Sequence, residues 1–200
     1  MPFMNLPNQI SRPSKYTNAE TILYEIDMLR FTAEQFGKSE NQWGEWCNLE
    51  CFLLHFRNLI EFFGNPHPRG DDLNIQTPEK IWPNPATMPT PAQLAPLHRE
   101  DLWTKYEVRD QAQVNDKISR YLQHCTEQRV EGKEWKVGEM FAELEPLMSA
   151  FENLLPNKDR PWGAPPTSLM LVVGNASYST ATSSPRATTY VSPPAKTKSN

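Results

Sequence analysis

His124 and Arg120 are the residues of this sequence whose types and spacing best suit acid–base chemistry on a phosphate group. They lie four positions apart, so they share one face of a predicted helix, and Arg129 follows them. An imidazole exchanges protons near neutral pH, and a guanidinium can hold a phosphate through two hydrogen bonds. His124 and Arg120 are therefore the candidate catalytic residues, and Arg129 is a candidate binding residue. A structural role for a single His on a helix flank is the alternative.

Cys47, Cys51 and His55 repeat every four residues and could line one side of a helix. Three ligands in this arrangement span about 12 Å of helix, whereas zinc binds its ligands at about 2.0–2.3 Å. One ion cannot reach all three residues. We therefore predict no metal site and no cofactor, and interpret the cysteines as small core residues.

Arg57 lies four residues before Glu61 and seven after Glu50, on what is predicted to be the main polar strip of its helix. An ion-pair ladder along that strip is the simpler interpretation. An Arg that faces a groove and binds an anion is the alternative. Arg57, its neighbour Asn58 and His55 are retained as candidate binding residues.

Common enzyme signatures are absent from the sequence. It has no phosphate-binding glycine loop, no G-x-S-x-G elbow, no H-E-x-x-H pair and no paired CxxC motif. The sequence therefore does not support the usual hydrolase, kinase or dinucleotide-enzyme interpretations.

Prolines divide the chain into blocks, because each removes a backbone donor and obstructs a helix interior. Residues 14–65 and 97–145 contain none, whereas residues 66–96 contain eight. We predict an all-α, four-helix-bundle-like domain over residues 17–155, with a long irregular Pro-rich insert at 65–96. Residues 1–16 are predicted to be a flexible N-terminus, and residues 156–200 a largely disordered tail.

Two capping boxes mark the first two predicted helices. Thr17 with Glu20 begins the first, and Ser39 with Gln42 begins the second, which runs to Gly64. This second helix is apolar on most sides, so we expect it to lie at the centre of the bundle, surrounded by the others.

Two further helices are predicted after the insert, over about 97–129 and about 134–155. The first of these is expected to bend near residues 107–110. The second has one broad apolar face, with Pro146 on the opposite side. Within the insert we expect at most one short helix or strand. Leu73, Ile81 and Trp82 should hold it against the bundle.

Charge and cysteine content limit the possible partners and compartments. Residues 156–200 hold five Lys or Arg and one Asp, a net +4, which leaves −8 for residues 1–155 in a chain of net −4. An acidic body is a poor general surface for nucleic acid. Three cysteines and the lack of a signal-peptide pattern or a long apolar span predict a cytoplasmic protein that does not enter membranes.

Three short segments resemble a group of uncharacterised bacterial helical proteins similar to the HEPN superfamily. They are Leu54–Phe63 (LHFRNLIEFF), Asn115–Ile118 (NDKI) and His124–Arg129 (HCTEQR). The resemblance covers about residues 20–155. It implies a helical bundle that is often a homodimer and, in many members, an RNase in which an Arg contacts phosphate and a later His takes part in cleavage.

Two departures from the family pattern affect the functional prediction. Arg57-Asn58 matches the start of the family motif, but the positions expected to hold His carry Phe62, Phe63 and Gly64. Arg120 and His124 supply the right types with only three residues between them. We therefore predict a HEPN-like protein that acts by protein or RNA association, without efficient catalysis. The alternatives are a metal-independent RNase of a defence or toxin–antitoxin type, and a structural scaffold whose insert binds a partner. Whether the chain is an enzyme stays open.

Overall fold

The computed structural model describes residues 16–107, 118–123 and 134–163 of the 200-residue chain. These residues contain helices and connecting turns and no strand, so the predicted all-α class is confirmed. The α-helices within them are α1 (Asn18–Gln35), α2 (Gln42–Gly64), α3 (Pro91–Leu94), α4 (Glu100–Glu107), α5 (Ile118–Gln123) and α6 (Val137–Leu154). Helices α1, α2 and α6 form three members of the bundle, and the short α4 and α5 pack together along α2.

Helix α1 begins at the predicted capping box. The Thr17 hydroxyl accepts a hydrogen bond from the Glu20 amide at 3.2 Å, and the Glu20 carboxylate accepts one from the Thr17 amide at 2.6 Å. The helix ends beside Gly37, whose φ of 77° lies in the left-handed region that favours glycine. The chain then turns directly into α2.

The second capping box was predicted in the wrong place. Asn41 is the N-cap of α2, and its side-chain oxygen accepts a hydrogen bond from the Gly44 amide at 3.0 Å. The Ser39 hydroxyl instead accepts a hydrogen bond from Asn48 at 2.9 Å, and the Glu45 carboxylate accepts one from the Ser39 amide at 3.0 Å. Asn is at least as good an N-cap as Ser. Ser39 lies before the helix, and its hydroxyl and amide are hydrogen-bonded to side chains of α2.

Helix α2 packs against α1, α4, α5 and α6, as expected for the central helix. It runs antiparallel to α1, because Glu25 contacts His55 near one end and Gln35 contacts Asn48 near the other. Its second half supplies most of the largest fully buried side chains. These are Phe52, Leu53, Phe56, Leu59, Ile60, Phe62 and Phe63.

Helix α6 closes the bundle with the broad apolar face predicted for it. Phe151 is fully buried and packs its ring edge to face against Phe62 and Trp82, at centroid distances of 5.3 and 5.7 Å. Pro146 lies inside the helix on the exposed side, as predicted. The helix begins at Val137, three residues later than expected, without a side-chain cap.

The Pro-rich insert has more regular structure than predicted. It contains α3 and three 3₁₀ turns, because Pro at the first positions of a turn needs no amide partner. Ile81 and Trp82 are buried and Leu73 is partly buried, so the predicted attachment to the bundle is present. Helix α3 begins after Thr90, whose amide donates a hydrogen bond to the side-chain oxygen of Gln93 at 2.9 Å.

The insert also caps the C-terminus of α2. The side-chain amide of Asn74 donates a hydrogen bond to the Glu61 carbonyl at 3.2 Å. The backbone amide of Ile75 donates to the Phe62 carbonyl at 3.0 Å. The backbone amide of Arg99 donates to the Phe63 carbonyl at 2.9 Å. The Phe62 and Phe63 carbonyls have no partner within the helix itself, and the Glu61 carbonyl also accepts a hydrogen bond from the amide of the C-cap residue Asn65 at 3.1 Å. The first part of the insert and Arg99, which follows the insert, therefore meet at the end of α2.

Several predictions fall partly outside the described residues. The expected bend near residues 107–110, the end of the third helix at Arg129, the flexible N-terminus at 1–15 and the tail beyond residue 163 are among them. Residues 156–163 are described, and Arg160 donates to Asp27 of α1 at 2.7 Å. Ordered structure thus continues past the predicted limit at residue 155. No helix in the described ranges is long and apolar enough to cross a membrane.

Candidate functional site

His55 and Asn58 meet on a single carboxylate between α1 and α2. One oxygen of Glu25 lies 2.7 Å from His55 Nδ1 and accepts a hydrogen bond from the Asn58 amide at 3.0 Å. The three residues lie within reach of one another because His55 and Asn58, three positions apart, share the side of α2 that faces α1. Glu25 was missed by the sequence analysis, since nothing in its own helix signals a partner 30 residues away.

The His55 cluster has the residue types of a catalytic dyad but is closed to substrate. Only 6% of His55 is exposed, and the ring of Tyr24 packs edge to face against it at 5.9 Å. Cys51 lies one turn earlier, but partial burial, followed by the nearby Cys47 and Glu50, raises the pKa of its thiol. A raised pKa disfavours the nucleophilic thiolate. The arrangement is suited to joining α1 to α2.

Arg57 lies on another side of α2 and is held by two carboxylates. Its guanidinium is 3.2 Å from Glu61, which confirms the ion pair predicted on this strip, and 3.7 Å from Glu107 of α4. Burial raises the pKa of Glu61, Arg57 opposes that effect, and Asp72 and Glu107 add to it. Because two carboxylates share this guanidinium, Arg57 is poorly suited to bind an anion.

The predicted site residues therefore do not all lie together. His55 and Arg57 are two positions apart, which separates them by about 200° around a helix. Arg120 lies in α5, with its side chain outside the described residues, and His124 and Arg129 fall wholly outside them. Within the described ranges no three His, Cys, Asp or Glu residues form a group that could hold a metal ion.

A second candidate site is an exposed apolar surface on the first half of α2. We call it the outer face of α2, and it consists of Trp43, Trp46, Cys47, Cys51 and Leu54. Trp43 is 73% exposed, Trp46 46% and Leu54 45%. The residues form two rows of four-residue spacing, Trp43-Cys47-Cys51 and Trp46-Glu50-Leu54, so they make one continuous stripe.

The outer face has defined internal packing and polar ends. The rings of Trp43 and Trp46 meet edge to face at 5.1 Å, which orders the two largest side chains relative to each other. Helical geometry places Arg57 and Glu61 on the continuation of this face in the next two turns. The face is therefore mixed, because Glu50 lies among its apolar residues and polar residues continue it beyond Leu54. Aromatic side chains are enriched at surfaces that contact another protein.

The exposure of this face corrects the sequence prediction. We expected α2 to be surrounded by the other helices and its cysteines to be core residues, because α2 is apolar around most of its circumference. Both cysteines are exposed. Periodicity identifies which residues share a side of a helix, but not whether a neighbouring helix covers that side.

An open groove between α1 and α6 is a third candidate. It has a volume of about 510 Å³, and its lining includes the apolar side chains of Ala33, Phe36 and Phe141. Arg30 lies on its edge but already donates hydrogen bonds to Glu145 and Glu152 at 2.7 and 3.0 Å. The polar group that would orient a ligand is thus engaged within the protein.

Comparison with protein-family models, curated proteins and solved structures gave no match to this chain, so the HEPN-like relationship stays a prediction.

Proposed function

We propose that this protein functions by associating with another protein through the outer face of α2, without efficient catalysis of its own. The observation that carries the proposal is Trp43, an indole left 73% exposed beside a second exposed indole. Scattered apolar residues are normal on a protein surface, but a contiguous apolar stripe usually marks an interaction site. Trp is also the residue most enriched among the energetic centres of protein interfaces.

Charge supports a protein partner over RNA. Glu50 lies within the stripe, Glu61 lies beyond it, and the nearby Arg57 is shared between two carboxylates. RNA binding depends on unpaired cations that track the phosphates, together with aromatic rings for stacking. The outer face has the rings without the cations. The cytoplasm, the proposed location, is a reducing compartment that would keep Cys47 and Cys51 as free thiols.

Of the residues that the RNase alternative would use, Arg57 is paired with Glu61 and Glu107, whereas His124, Arg129 and the side chain of Arg120 lie outside the described residues. The scaffold alternative relied on the Pro-rich insert as a binding arm. The apolar side chains Ile75, Ile81 and Trp82 of that insert are buried against the bundle. Cleavage of RNA by the purified protein that is lost in His124→Ala would favour the RNase over the association proposal.

Site-specific photo-crosslinking in cells tests the proposal. A photoreactive amino acid replaces Trp43 in the full chain, and a matched control carries it at Glu139 of α6, whose side chain is 68% exposed. We expect a protein adduct that survives nuclease treatment from position 43 and not from position 139. Adducts at neither position, or an adduct at position 43 that nuclease removes, would contradict the proposal.

A further inference from the structure

We infer that a surface on α1 and α6 binds peptide segments with the pattern Arg-Pro-Trp, and that the chain's own residues 156–163 occupy it as a built-in ligand. We call residues 156–163 the C-terminal strap. The surface consists of Tyr16, which precedes α1, Tyr24 and Asp27 of α1, and Glu152 of α6. It shares no residue with the outer face of α2, so the inference is independent of the proposed association function. A partner that carries such a segment competes with the strap.

Two side chains of the strap, Arg160 and Trp162, hold it on this surface. Arg160 Nε donates a hydrogen bond to Asp27 Oδ2 at 2.7 Å, and its Nη2 donates to Glu152. Trp162 Nε1 donates to the same oxygen of Asp27 at 3.0 Å. Among the described residues, the backbone of the strap makes no hydrogen bond to α1 or α6. The strap is therefore held by anchor side chains, and Trp and Arg are the types that often carry the binding energy of protein interfaces.

The aromatic part of the surface contacts the Trp162 ring. This ring packs edge to face against Tyr16 and Tyr24, at centroid distances of 5.3 and 5.7 Å. The two Tyr rings are nearly parallel, with an interplanar angle of 21° and centroids 6.3 Å apart. Edge-to-face packing stabilises a contact beyond the burial of its area. The surface therefore recognises both the ring of a Trp and its N–H group.

A β-turn at the end of the strap sets the spacing of the two anchors. The Gly163 amide donates to the Arg160 carbonyl at 2.9 Å, and Pro161 occupies the second position of the turn, where proline is favoured. This turn lets the N–H groups of Arg160 and Trp162 reach one oxygen of Asp27. Because the turn is closed by a local hydrogen bond, a separate peptide of the same sequence can adopt it.

The surface keeps its form without the strap. Tyr24 and Asp27 lie three positions apart on α1, so the helix itself sets their spacing. Glu152 also accepts a hydrogen bond from Arg30 of α1 at 3.0 Å, which holds its carboxylate in place. Within the part of the chain that the structure describes, the polar contacts of the Asp27 carboxylate are all with the strap. Displacement of the strap therefore leaves an oriented acceptor for another segment of the same pattern.

The strap is a strong competitor because it belongs to the same chain. Leu155, directly after α6, is buried, and Arg160 follows only five residues later. A short tether of this kind gives an effective concentration in the millimolar range. A separate peptide should thus bind weakly to the unsubstituted chain, and more tightly once the anchors of the strap are removed.

Fluorescence anisotropy of a labelled peptide PNKDRPWG, the sequence of residues 156–163, tests the inference on the full chain. The double substitution Arg160→Ala with Trp162→Ala should tighten peptide binding at least about tenfold, because the surface is then open. A peptide in which Ala replaces both anchors should not bind. Failure of the folded double variant to bind PNKDRPWG would overturn the inference.

Two further substitutions identify the surface that the peptide uses. Asp27→Ala, added to the double variant, should weaken binding at least about tenfold, because the peptide loses the acceptor for both anchors. Lys158→Ala in the otherwise unsubstituted chain should leave the affinity unchanged, since its ammonium contacts Asn153. Equal affinities with and without the Asp27 carboxylate would contradict the assigned surface.

A single substitution keeps the test decisive if the double variant does not fold. Trp162→Ala retains the ion pairs of Arg160 with Asp27 and Glu152 and removes only the aromatic anchor. It should bind the peptide at least about threefold more tightly than the unsubstituted chain, because the strap then competes less well. An affinity no higher than that of the unsubstituted chain would overturn the inference.

Discussion

The two halves of α2 are both rich in apolar residues, yet their surroundings differ. In the second half, Phe52, Phe56 and Phe63 are fully buried, whereas in the first half Trp43 and Trp46 are largely exposed. The difference follows from where neighbouring elements reach. Helix α4 runs back along α2 from Arg99 beside Gly64 to Tyr106, whose ring packs against Phe56 at 4.9 Å. The apolar character of a helix thus shows how much of it could be buried. Which part is buried depends on how far the neighbouring helices extend along it.

The largest expected effect comes from shortening a buried side chain in the second half of α2. Phe56→Ala should lower the free energy of unfolding by about 3–5 kcal/mol, because it removes a fully buried ring and leaves a cavity. Trp43→Ala should change it by less than about 0.5 kcal/mol when the chain is monomeric. Denaturant unfolding of dilute protein measures both variants. Similar losses in the two would show that the first half is covered as well.

A smaller effect is expected at the polar contact between Glu25 of α1 and His55 and Asn58 of α2. Glu25→Ala should cost about 1–3 kcal/mol, because His55 and Asn58 lose their shared acceptor in a buried place. Glu34→Ala, on an exposed part of the same helix, is the control and should change stability by less than about 0.5 kcal/mol. The comparison uses the same denaturant assay. Equal effects would mean that this cluster contributes nothing specific.

The exposed cysteines of α2 should be accessible to thiol reagents in the folded protein. In Cys47→Ser with Cys125→Ser, Cys51 should react in the native state, but a few-fold more slowly at neutral pH than in the denatured chain. Burial raises the pKa of the Cys51 thiol and so lowers the fraction of thiolate. The difference should shrink as the pH rises through the native pKa. Stopped-flow labelling over a pH series measures it, and complete protection at every pH would contradict an open face.

The smallest expected effect concerns the ion pairs of Arg30 in α1 with Glu145 and Glu152 in α6. Burial alone would raise the pKa of Glu145, but hydrogen bonds from Arg30 and Ser149, with the charge of Arg30, lower it overall. A carboxyl with a lowered pKa adds stability above its unfolded pKa of about 4.3 and loses it as the pH falls through the native value.

Glu145→Gln should therefore cost about 0.5–1 kcal/mol near neutral pH, as for a partly exposed ion pair. The difference from the unsubstituted chain should vanish in acid. Unfolding curves collected as a function of pH provide the measurement, with Glu34→Gln as the control. A difference that persists below the native pKa would show that packing, rather than charge, accounts for the effect.

The features predicted correctly from the sequence are those encoded by neighbouring residues. The Thr17 capping box, the apolar face of α6 and the exposed position of Pro146 depend on spacings of a few positions, which the sequence displays directly. The ion pair of Arg57 with Glu61 belongs to the same class.

The features that were missed depend on contacts between distant segments. Glu25 pairs with His55 across 30 positions, and Glu107 approaches Arg57 from another helix. No local sequence pattern around either acidic residue indicates which residue it contacts. The exposure of Trp46 was missed for a related reason, since a helix that is apolar on two sides does not reveal which side the other helices cover.

The close contact at the end of α2 has an evolutionary consequence. A Cβ atom on Gly64 would lie 2.4 Å from the carbonyl oxygen of Arg99, a backbone atom that cannot move aside. Selection on any lineage that keeps this fold should therefore retain glycine at this site. An asparagine equivalent to Asn74, which donates hydrogen bonds to Glu61 and Asn65, should be retained with it. The segment between these fixed points, residues 65–73, is free to change in length, because extending a surface loop costs little. Distant relatives of this protein should thus be recognisable by one glycine and one asparagine separated by a variable interval.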